Sequence, residues 1–303
     1  MNIAIEPQDQ QKGARLLRRP IRFQCLSLTA LIMLTLFLLA GCGAMAPTVK
    51  LPSVAKTPAG EIQNGRFVWI DLLTEDVVAA ASFYSRLFGW RAAQSKENGA
   101  YYLFFLDGRP VAGMTAMESK DATASESLWL ATISVSDVDQ SVATAKAHGG
   151  KLLEGPLDAV GRGRMVLIGD DAEAPIILLA ADGRGPAGSK AMPGQWLWID
   201  LVSQDANRAQ IFYTAHFGYE ATPMEADEEH RYVVLKREGR AVAGLVELDW
   251  EGLEDNWLPY FKVADLERSI EIARDLGGSL VLKTGDVAVL ADPSGAAFGI
   301  QAH

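Results

Sequence analysis

The chain has 303 residues, of which 49% are hydrophobic and 22% are charged, and its formal net charge at pH 7 is −10. This composition excludes an intrinsically disordered protein, and the length is sufficient for two domains of ordinary size. The acidic balance argues against binding to nucleic acid and against direct adsorption to anionic lipid.

The N-terminus has the order of a secretory signal peptide. Four arginines between positions 15 and 22 precede an uncharged apolar run at 25–40, and small residues follow. The stretch LAGC at 39–42 resembles the lipobox of bacterial lipoproteins. That resemblance implies removal of residues 1–41, a lipid on Cys42 and attachment to a membrane. Because Gly43 is not the aspartate associated with inner-membrane retention, it implies a periplasm-facing anchor in the outer membrane.

Two other interpretations of this segment stay open. A transmembrane helix is the first, but glycines and a proline leave about 15 strongly apolar residues where a span needs ~20. An ordinary buried thiol at Cys42 is the second. If residues 1–41 are removed, five basic and two acidic side chains leave with them, so the net charge falls from −10 to −13. One cysteine then remains, which excludes a disulfide within the chain.

Residues 42–63 are rich in Ala, Pro, Lys and Thr and have no periodicity. This composition predicts a flexible tether between the lipid and the first domain.

An internal repeat organises the rest of the chain. VWIDLLTED at 68–76 returns as LWIDLVSQD at 197–205, and GRPVAGM at 108–114 returns as GRAVAGL at 239–245. The repeat predicts two homologous domains at 64–182 and 195–303. A Gly- and Pro-rich linker, 183–194, joins them.

Each predicted domain has the same order of elements. FVWIDLL alternates as a strand does, Asp76 is placed as a helix N-cap, and the following helix ends near Gly89. YYLFFLDGRPVAGMTAM predicts two strands around an Asp-Gly turn. A further strand, a cap at Asp137, a second helix and two more strands complete the domain. Each domain therefore contains two βαβββ units.

The combination of strand–Asp–helix–FY…LFGW, strand–Asp–helix–GG and the closing DPSGAAFGI at 292–300 resembles the vicinal oxygen chelate superfamily. Glyoxalase I, extradiol dioxygenases and bleomycin-resistance proteins are members. The resemblance covers nearly all of 64–303. It implies an α+β fold with two tandem glyoxalase-like domains, each curling its paired βαβββ units into an incomplete barrel with the active site on the concave face.

Enzymes of that superfamily hold a divalent metal with His, Glu or Gln. The resemblance places the three ligand positions of each domain at residues that cannot coordinate a metal: Trp69, Leu130, Ile177, and in the second domain Trp198, Leu258, Gly299. The four histidines of the chain are scattered, without i,i+2 or i,i+4 pairs. We therefore predict no metal and no other cofactor.

The candidate ligand-binding residues are tryptophans and aspartates at repeated positions: Trp69, Asp71, Trp198, Asp200, Trp129 and Trp257. Strand alternation puts each aspartate on the same side as the tryptophan two residues before it. The carboxylate then binds a ligand beside an indole wall, or it forms an internal salt bridge that fixes the strand, to Arg109 or Arg240. The last two tryptophans are core residues more often than pocket residues.

These observations predict a lipoprotein of the bacterial envelope whose domains bind an unidentified small molecule, partly aromatic or hydrophobic, without a metal. Bleomycin-resistance-type members act in this way, by sequestration. Two alternatives stay open: a glyoxalase- or dioxygenase-like enzyme of the superfamily, and a structural interaction module of the envelope.

Overall fold

The computed structural model describes residues 49–54, 64–117, 127–181, 191–224, 231–250 and 253–302. The predicted signal peptide and Cys42 lie outside these ranges. Within them, no helix has both the length and the apolar character that crossing a membrane requires.

The first half of the chain forms a nine-stranded mixed sheet with two helices. The strand order is β1-β7-β8-β9-β6-β2-β5-β4-β3. In chain order the elements are β1 (Val49–Lys50), β2 (Phe67–Thr74), α1 (Val77–Phe88), β3 (Arg91–Gln94), β4 (Tyr101–Leu106), β5 (Arg109–Ala116), β6 (Leu128–Ser134), α2 (Val138–Ala147), β7 (Lys151–Val160), β8 (Gly163–Gly169) and β9 (Pro175–Ala181).

The second half forms an eight-stranded mixed sheet in the order β11-β12-β13-β10-β14-β17-β16-β15. Its elements are β10 (Trp196–Ser203), α3 (Ala206–Phe217), β11 (Glu220–Met224), β12 (Tyr232–Arg237), β13 (Arg240–Glu247), β14 (Asn256–Lys262), α4 (Leu266–Asp275), β15 (Ser279–Thr284), β16 (Val287–Ala291) and β17 (Ala297–Gln301). Both sheets contain two βαβββ units, which confirms the predicted α+β class.

Short polar signals set the helix boundaries. Each helix begins after an aspartate whose side chain accepts a hydrogen bond from a backbone N–H of the first turn, at Asp76, Asp137, Asp205 and Asp265. Helices α1 and α3 end at Gly89 and Gly218, whose φ angles of 73° and 66° are in the left-handed region that favours glycine.

The helix-bearing faces of the two sheets are buried against each other. Helix α1 contacts α4, and α2 contacts α3. Two apolar cores result, and each contains side chains of both halves of the chain. The opposite faces, called the concave faces below, carry separate apolar clusters. The alternation of β2 shows the division, because Ile70 and Leu72 join a shared core whereas Trp69 and Leu73 join the concave cluster.

Two chains of hydrogen bonds cross between the domains inside these cores. Trp129 Nε1 donates to Tyr84 Oη at 3.0 Å, and Tyr84 Oη donates to Asp292 Oδ2 at 3.1 Å. The second series of hydrogen bonds runs in the opposite direction between the domains. Trp257 Nε1 donates to Tyr213 Oη at 2.9 Å, and Tyr213 Oη donates to Asp170 Oδ2 at 3.0 Å.

The two aspartates that end these chains organise equivalent turns. Oδ1 of Asp170 accepts from the backbone N–H groups of Ala172 and Ala174, both at 2.9 Å. Oδ1 of Asp292 accepts from those of Ser294 and Ala296. The sequences DDAEA and DPSGA therefore build the same turn, although only the second resembles the superfamily pattern.

Part of the predicted flexible tether is packed against the first domain. Val49 and Lys50 form β1, which pairs in parallel with β7. Leu51 and Val54 are buried in the concave apolar cluster of the first domain. Within the predicted tether, residues 49–54 therefore pack against the first domain, where Leu51 and Val54 lie on its concave face.

We expect Tyr84→Phe and Tyr213→Phe each to lower the free energy of unfolding by about 1–2 kcal/mol. Each substitution removes one hydroxyl that satisfies both a buried carboxylate and an indole N–H. Urea unfolding measures the change, and Tyr102→Phe, at a half-buried tyrosine of β4 outside these hydrogen bonds, is the control. Equal stabilities for all three variants and the wild type would contradict a role for the cross-domain hydrogen bonds.

Candidate functional site

The predicted tryptophan–aspartate pairs lie on the concave faces, each joined by a tyrosine. In the first domain Trp69 Nε1 donates to Asp71 Oδ1 at 3.0 Å, and Tyr101 Oη donates to the same oxygen at 2.5 Å. In the second domain the corresponding distances to Asp200 Oδ1 are 2.8 Å from Trp198 and 3.0 Å from Tyr232. We call these the first and second Trp–Asp–Tyr clusters.

A glycine on the neighbouring parallel strand makes room for each cluster. Gly113 is paired in register with Asp71, and Gly244 with Asp200. A Cβ atom at Gly113 would lie 1.8 Å from Asp71 Oδ1, and one at Gly244 would lie 2.1 Å from Asp200 Oδ1. The AG dipeptide of the repeated GRxVAG sequence is therefore part of the cluster's construction.

The two clusters differ in charge. Arg162, only 3% exposed, approaches Asp71 Oδ2 with Nη1 at 3.5 Å and donates from Nη2 to Tyr101 Oη at 2.8 Å. Its Nε donates to the carbonyl oxygen of Pro52. The expectation of an internal salt bridge thus holds for the first domain, but with a different arginine, since Arg109 and Arg240 are exposed. Asp200 has no salt bridge with any residue in the described ranges.

The second concave face contains an open cavity of about 110 Å³. Asp200 lines it together with two other charged residues, Arg231 and Glu254. Most of the lining is apolar or aromatic, including Val202, Leu248, Trp250, Leu258, Tyr260 and Val289. The indole in this lining is that of Trp250, whereas Trp198 contributes through its hydrogen bond to Asp200.

The cavity on the first concave face is much smaller, about 30 Å³. Leu51 of the N-terminal segment and Arg162 both line it, beside Asp71. The segment 49–54 and the arginine therefore occupy space that is open in the second domain. Among the described residues, the cavity beside Asp200 is therefore larger than the one beside Asp71.

Burial raises the pKa of Asp200 to about 6, although hydrogen bonds from Trp198, Tyr232 and Tyr260 lower it. The carboxylate is 5% exposed, so loss of hydration outweighs the donors. Near neutral pH this group can accept a proton, donate a hydrogen bond when protonated, or act as the counter-ion of a bound cation.

The metal of the superfamily's enzymes does not fit the residues present. The six carried-over ligand positions are placed on the concave faces but hold Trp, Leu, Ile or Gly. At Gly299 a Cβ atom would lie 2.1 Å from Cδ1 of Tyr260, so this ring occupies the space of a ligand side chain. Within the described ranges no three His, Cys, Asp or Glu side chains come together in a way that could hold a metal.

The remaining candidates, Trp129 and Trp257, are directed away from the concave faces into the shared cores. Strand alternation explains this placement, because each precedes by one residue a leucine, Leu130 or Leu258, that belongs to a concave cluster. The core interpretation is therefore the one that agrees with their positions.

Sequence reasoning missed several residues of the site. The shift of 131 that aligns GRPVAGM with GRAVAGL also aligns Tyr101 with Tyr232, so the tyrosines could have been found from the repeat. Arg162 and Trp250 have no counterpart in the other domain, and no sequence signal identifies them.

We expect the stability difference between wild type and Asp200→Asn to fall by about 2 kcal/mol as pH rises from about 4 to about 7. A carboxyl whose pKa is raised on folding stabilises the protein at low pH and loses that contribution as pH rises through its folded pKa. Asp170 and Asp292, with pKa values raised by burial to about 7 and about 6, act in the same direction. His216, whose pKa burial lowers to about 4, acts in the opposite direction.

Because Asp170, Asp292 and His216 are present in both wild type and Asp200→Asn, their effects cancel in the difference between the two unfolding free energies. Urea unfolding at several pH values measures it, and Asp249→Asn, which changes an exposed carboxylate of the same domain, is the control. If the difference in unfolding free energy between wild type and Asp200→Asn stayed constant across the pH range, a raised pKa at Asp200 would be refuted.

Residues 66–176 match the model of the Glyoxalase/Bleomycin resistance protein/Dioxygenase superfamily. "Putative glyoxylase CFP32" of Mycobacterium tuberculosis is 30% identical over 249 residues, covering 79% of this chain and 95% of that protein. "Anthracycline biosynthesis protein DauV" of Streptomyces sp. strain C5 is 30% identical over 258 residues, covering 78% and 92%.

Two solved structures share the fold at low identity. The Mn(II)-bound glyoxalase of Novosphingobium aromaticivorans has a TM-score of 0.55 at 13% identity, covering 79% of this chain and 83% of that one. The 2,2',3-trihydroxybiphenyl 1,2-dioxygenase of Sphingomonas wittichii has a TM-score of 0.56 at 12% identity, covering 79% and 90%. The resemblance seen in the sequence is confirmed: this chain belongs to the glyoxalase, bleomycin resistance protein and dioxygenase superfamily and contains two tandem glyoxalase-like domains.

Proposed function

We propose that this protein binds a small, largely apolar molecule without a metal, and that the second domain is the binding domain. The observation that carries the proposal is the cavity of about 110 Å³ at Asp200. An apolar cavity of roughly this size, about 150 Å³, is sufficient for a benzene-sized molecule. Apolar walls with one or two polar groups are the usual construction of a small-molecule site.

The relatives support a ligand that is a small organic molecule. One is named as a glyoxylase and another as a protein of anthracycline biosynthesis. Both names refer to the chemistry of small molecules, and neither points to a macromolecular partner.

The second candidate function is a metal-independent enzyme of the superfamily. Asp200 favours it, because a carboxyl with a pKa of about 6 is suited to proton transfer near neutral pH. In that case Asp200 takes a proton from the ligand, and the hydroxyl of Tyr232, 3.0 Å from its Oδ1, holds the carboxyl in place. Turnover of a bound ligand that stops in Asp200→Asn would favour this candidate over sequestration.

The test of binding uses residues 43–303, which include every described residue. We expect less than about a tenth of an equivalent of Mn, Fe, Ni or Zn per domain by elemental mass spectrometry after growth with trace metals. We also expect saturable binding of benzamide, a neutral one-ring probe, detected by tryptophan fluorescence. Trp250→Phe should reduce the fluorescence change, whereas Trp90→Phe, at a buried indole of the shared core, should not. Stoichiometric metal, or no binding of the probe, would contradict the proposal.

We propose in addition that lipid on Cys42 anchors the protein, facing the periplasm, in the outer membrane. The support is the LAGC sequence after an uncharged apolar run. Cys42→Ser should move the protein from the membrane fraction to the soluble fraction of lysed cells and abolish incorporation of labelled palmitate. The anchor would be contradicted if Cys42→Ser fractionated as the wild type does and the wild type incorporated no labelled palmitate.

A further inference from the structure

We propose that the cavity of the second domain selects ligands with a cationic head group, an amidinium, guanidinium or ammonium, which lies beside Asp200 as the Arg162 guanidinium lies beside Asp71. The inference rests on the proposed function and narrows it to a class of ligand. The chain builds the Trp–Asp–Tyr cluster twice, once in each domain, and only the first cluster has a cation beside it in the described residues.

The two Trp–Asp–Tyr clusters share the same hydrogen-bond geometry. In both, the indole N–H lies 3.1 Å from the tyrosine Oη, and both groups donate to one carboxylate oxygen. In the second cluster Asp200 accepts a further hydrogen bond from the hydroxyl of Tyr260, whereas Asp71 in the first cluster is approached by Arg162. The Trp, Asp and Tyr groups themselves therefore present the same geometry to a partner in both clusters.

The first cluster already has a cation beside it, the guanidinium of Arg162. The Arg162 guanidinium contacts both Asp71 and Tyr101, and its Cζ lies 4.9 Å from the centre of the Tyr101 ring and 5.8 Å from that of Trp69. A planar cation is thus held by a carboxylate, a hydroxyl and two aromatic rings, which are the groups that recognise such cations in proteins.

The two domains differ in the hairpin that precedes the last strand, which is β7–β8 in the first domain and β15–β16 in the second. Met165 of β8 pairs with Leu179, and Val287 of β16 pairs with Gln301. The two pairs are equivalent, because Met165 lies five residues before the turn aspartate Asp170 and Val287 lies five residues before Asp292. In the first domain β8 begins two residues before Met165, and Arg162 stands in the turn that precedes it. In the second domain the turn lies at residues 285–286, so the position three residues before Val287 is Thr284 at the end of β15, which lines the cavity but brings no positive charge.

No described residue supplies a positive charge to Asp200 in place of this arginine, because Tyr260 brings only a neutral hydroxyl. Arg231 lines the cavity, but its guanidinium donates to the side chains of Asn207 and Gln210 on α3. It forms no salt bridge with Asp200 in the described part of the chain. The cavity is also larger where the arginine is missing, at about 110 against 30 Å³.

A buried carboxylate without a cation is costly, and a ligand that brings one offsets that cost. Asp200 is therefore a counter-ion for the ligand, and the apolar walls receive the ligand's body. A head with two N–H donors fits best, because Arg162 uses Nη1 and Nη2 on two different acceptors. The acidic charge of the whole chain also favours the approach of cations.

The test compares benzamidinium with benzamide, which have the same ring and nearly the same shape but differ by one charge. Dissociation constants are measured at pH 8 on residues 43–303 by tryptophan fluorescence and calorimetry. We expect benzamidinium to bind at least tenfold more tightly than benzamide. In Asp200→Asn the ratio should fall below threefold while benzamide still binds, and in Asp249→Asn, the exposed control, it should stay above tenfold.

The outcomes separate this inference from the proposed function. Equal binding of the two probes to the wild type overturns the cationic selectivity and leaves the cavity as a binding site. Absence of binding by either probe overturns the proposed function itself. A preference that survives Asp200→Asn places the cation elsewhere and overturns the inference.

Tyr232→Phe tests the inference independently if Asp200→Asn does not fold. It keeps the carboxylate but removes the hydroxyl that corresponds to the acceptor of Arg162 Nη2. The preference for benzamidinium should fall at least threefold, and an unchanged preference would overturn the proposed position of the head group.

Discussion

Burial of the two helix-bearing sheet faces against each other is the constraint on which the rest of this structure depends. The apolar stripes of α1 and α4, and those of α2 and α3, are covered only because the two domains share their cores. Tyr84 and Tyr213 then carry buried hydrogen bonds to an aspartate of the other domain. Since the helices occupy this interior, the concave faces are directed away from the shared cores.

On the concave faces, one buried carboxylate is stabilised in two different ways. Asp71 receives an arginine of its own domain, and its cavity is closed further by the N-terminal segment. Asp200 receives hydrogen bonds from the neutral groups of Trp198, Tyr232 and Tyr260, and burial raises its pKa to about 6. The two clusters thus differ in their surroundings, because Arg162 lies beside the first and a cavity of about 110 Å³ lies beside the second.

The superfamily's barrel is retained here while the chemistry of its centre differs. Indoles and aliphatic side chains stand at the positions that hold metal ligands in the superfamily's enzymes, and the ring of Tyr260 lies over Gly299. Aspartate, tyrosine and tryptophan form the polar part of the site in their place. Such a set offers hydrogen bonds and a negative charge, and the six positions offer no side chain that ligates a metal.

The sequence by itself determined the α+β class, the repeated βαβββ units, the helix caps and the pairing of each aspartate with its tryptophan. These features depend on local periodicity, on capping residues and on alternation within a strand, all of which are visible along the chain. The repeat also contained the signal for Tyr101 and Tyr232. Only the tertiary structure decided that Arg162 neutralises Asp71, that Trp250 lines the open cavity and that residues 49–54 fill the closed one. These contacts join residues that are distant in sequence, and Arg162, Trp250 and residues 49–54 lie outside the repeated motifs, so no period or repeat reveals them.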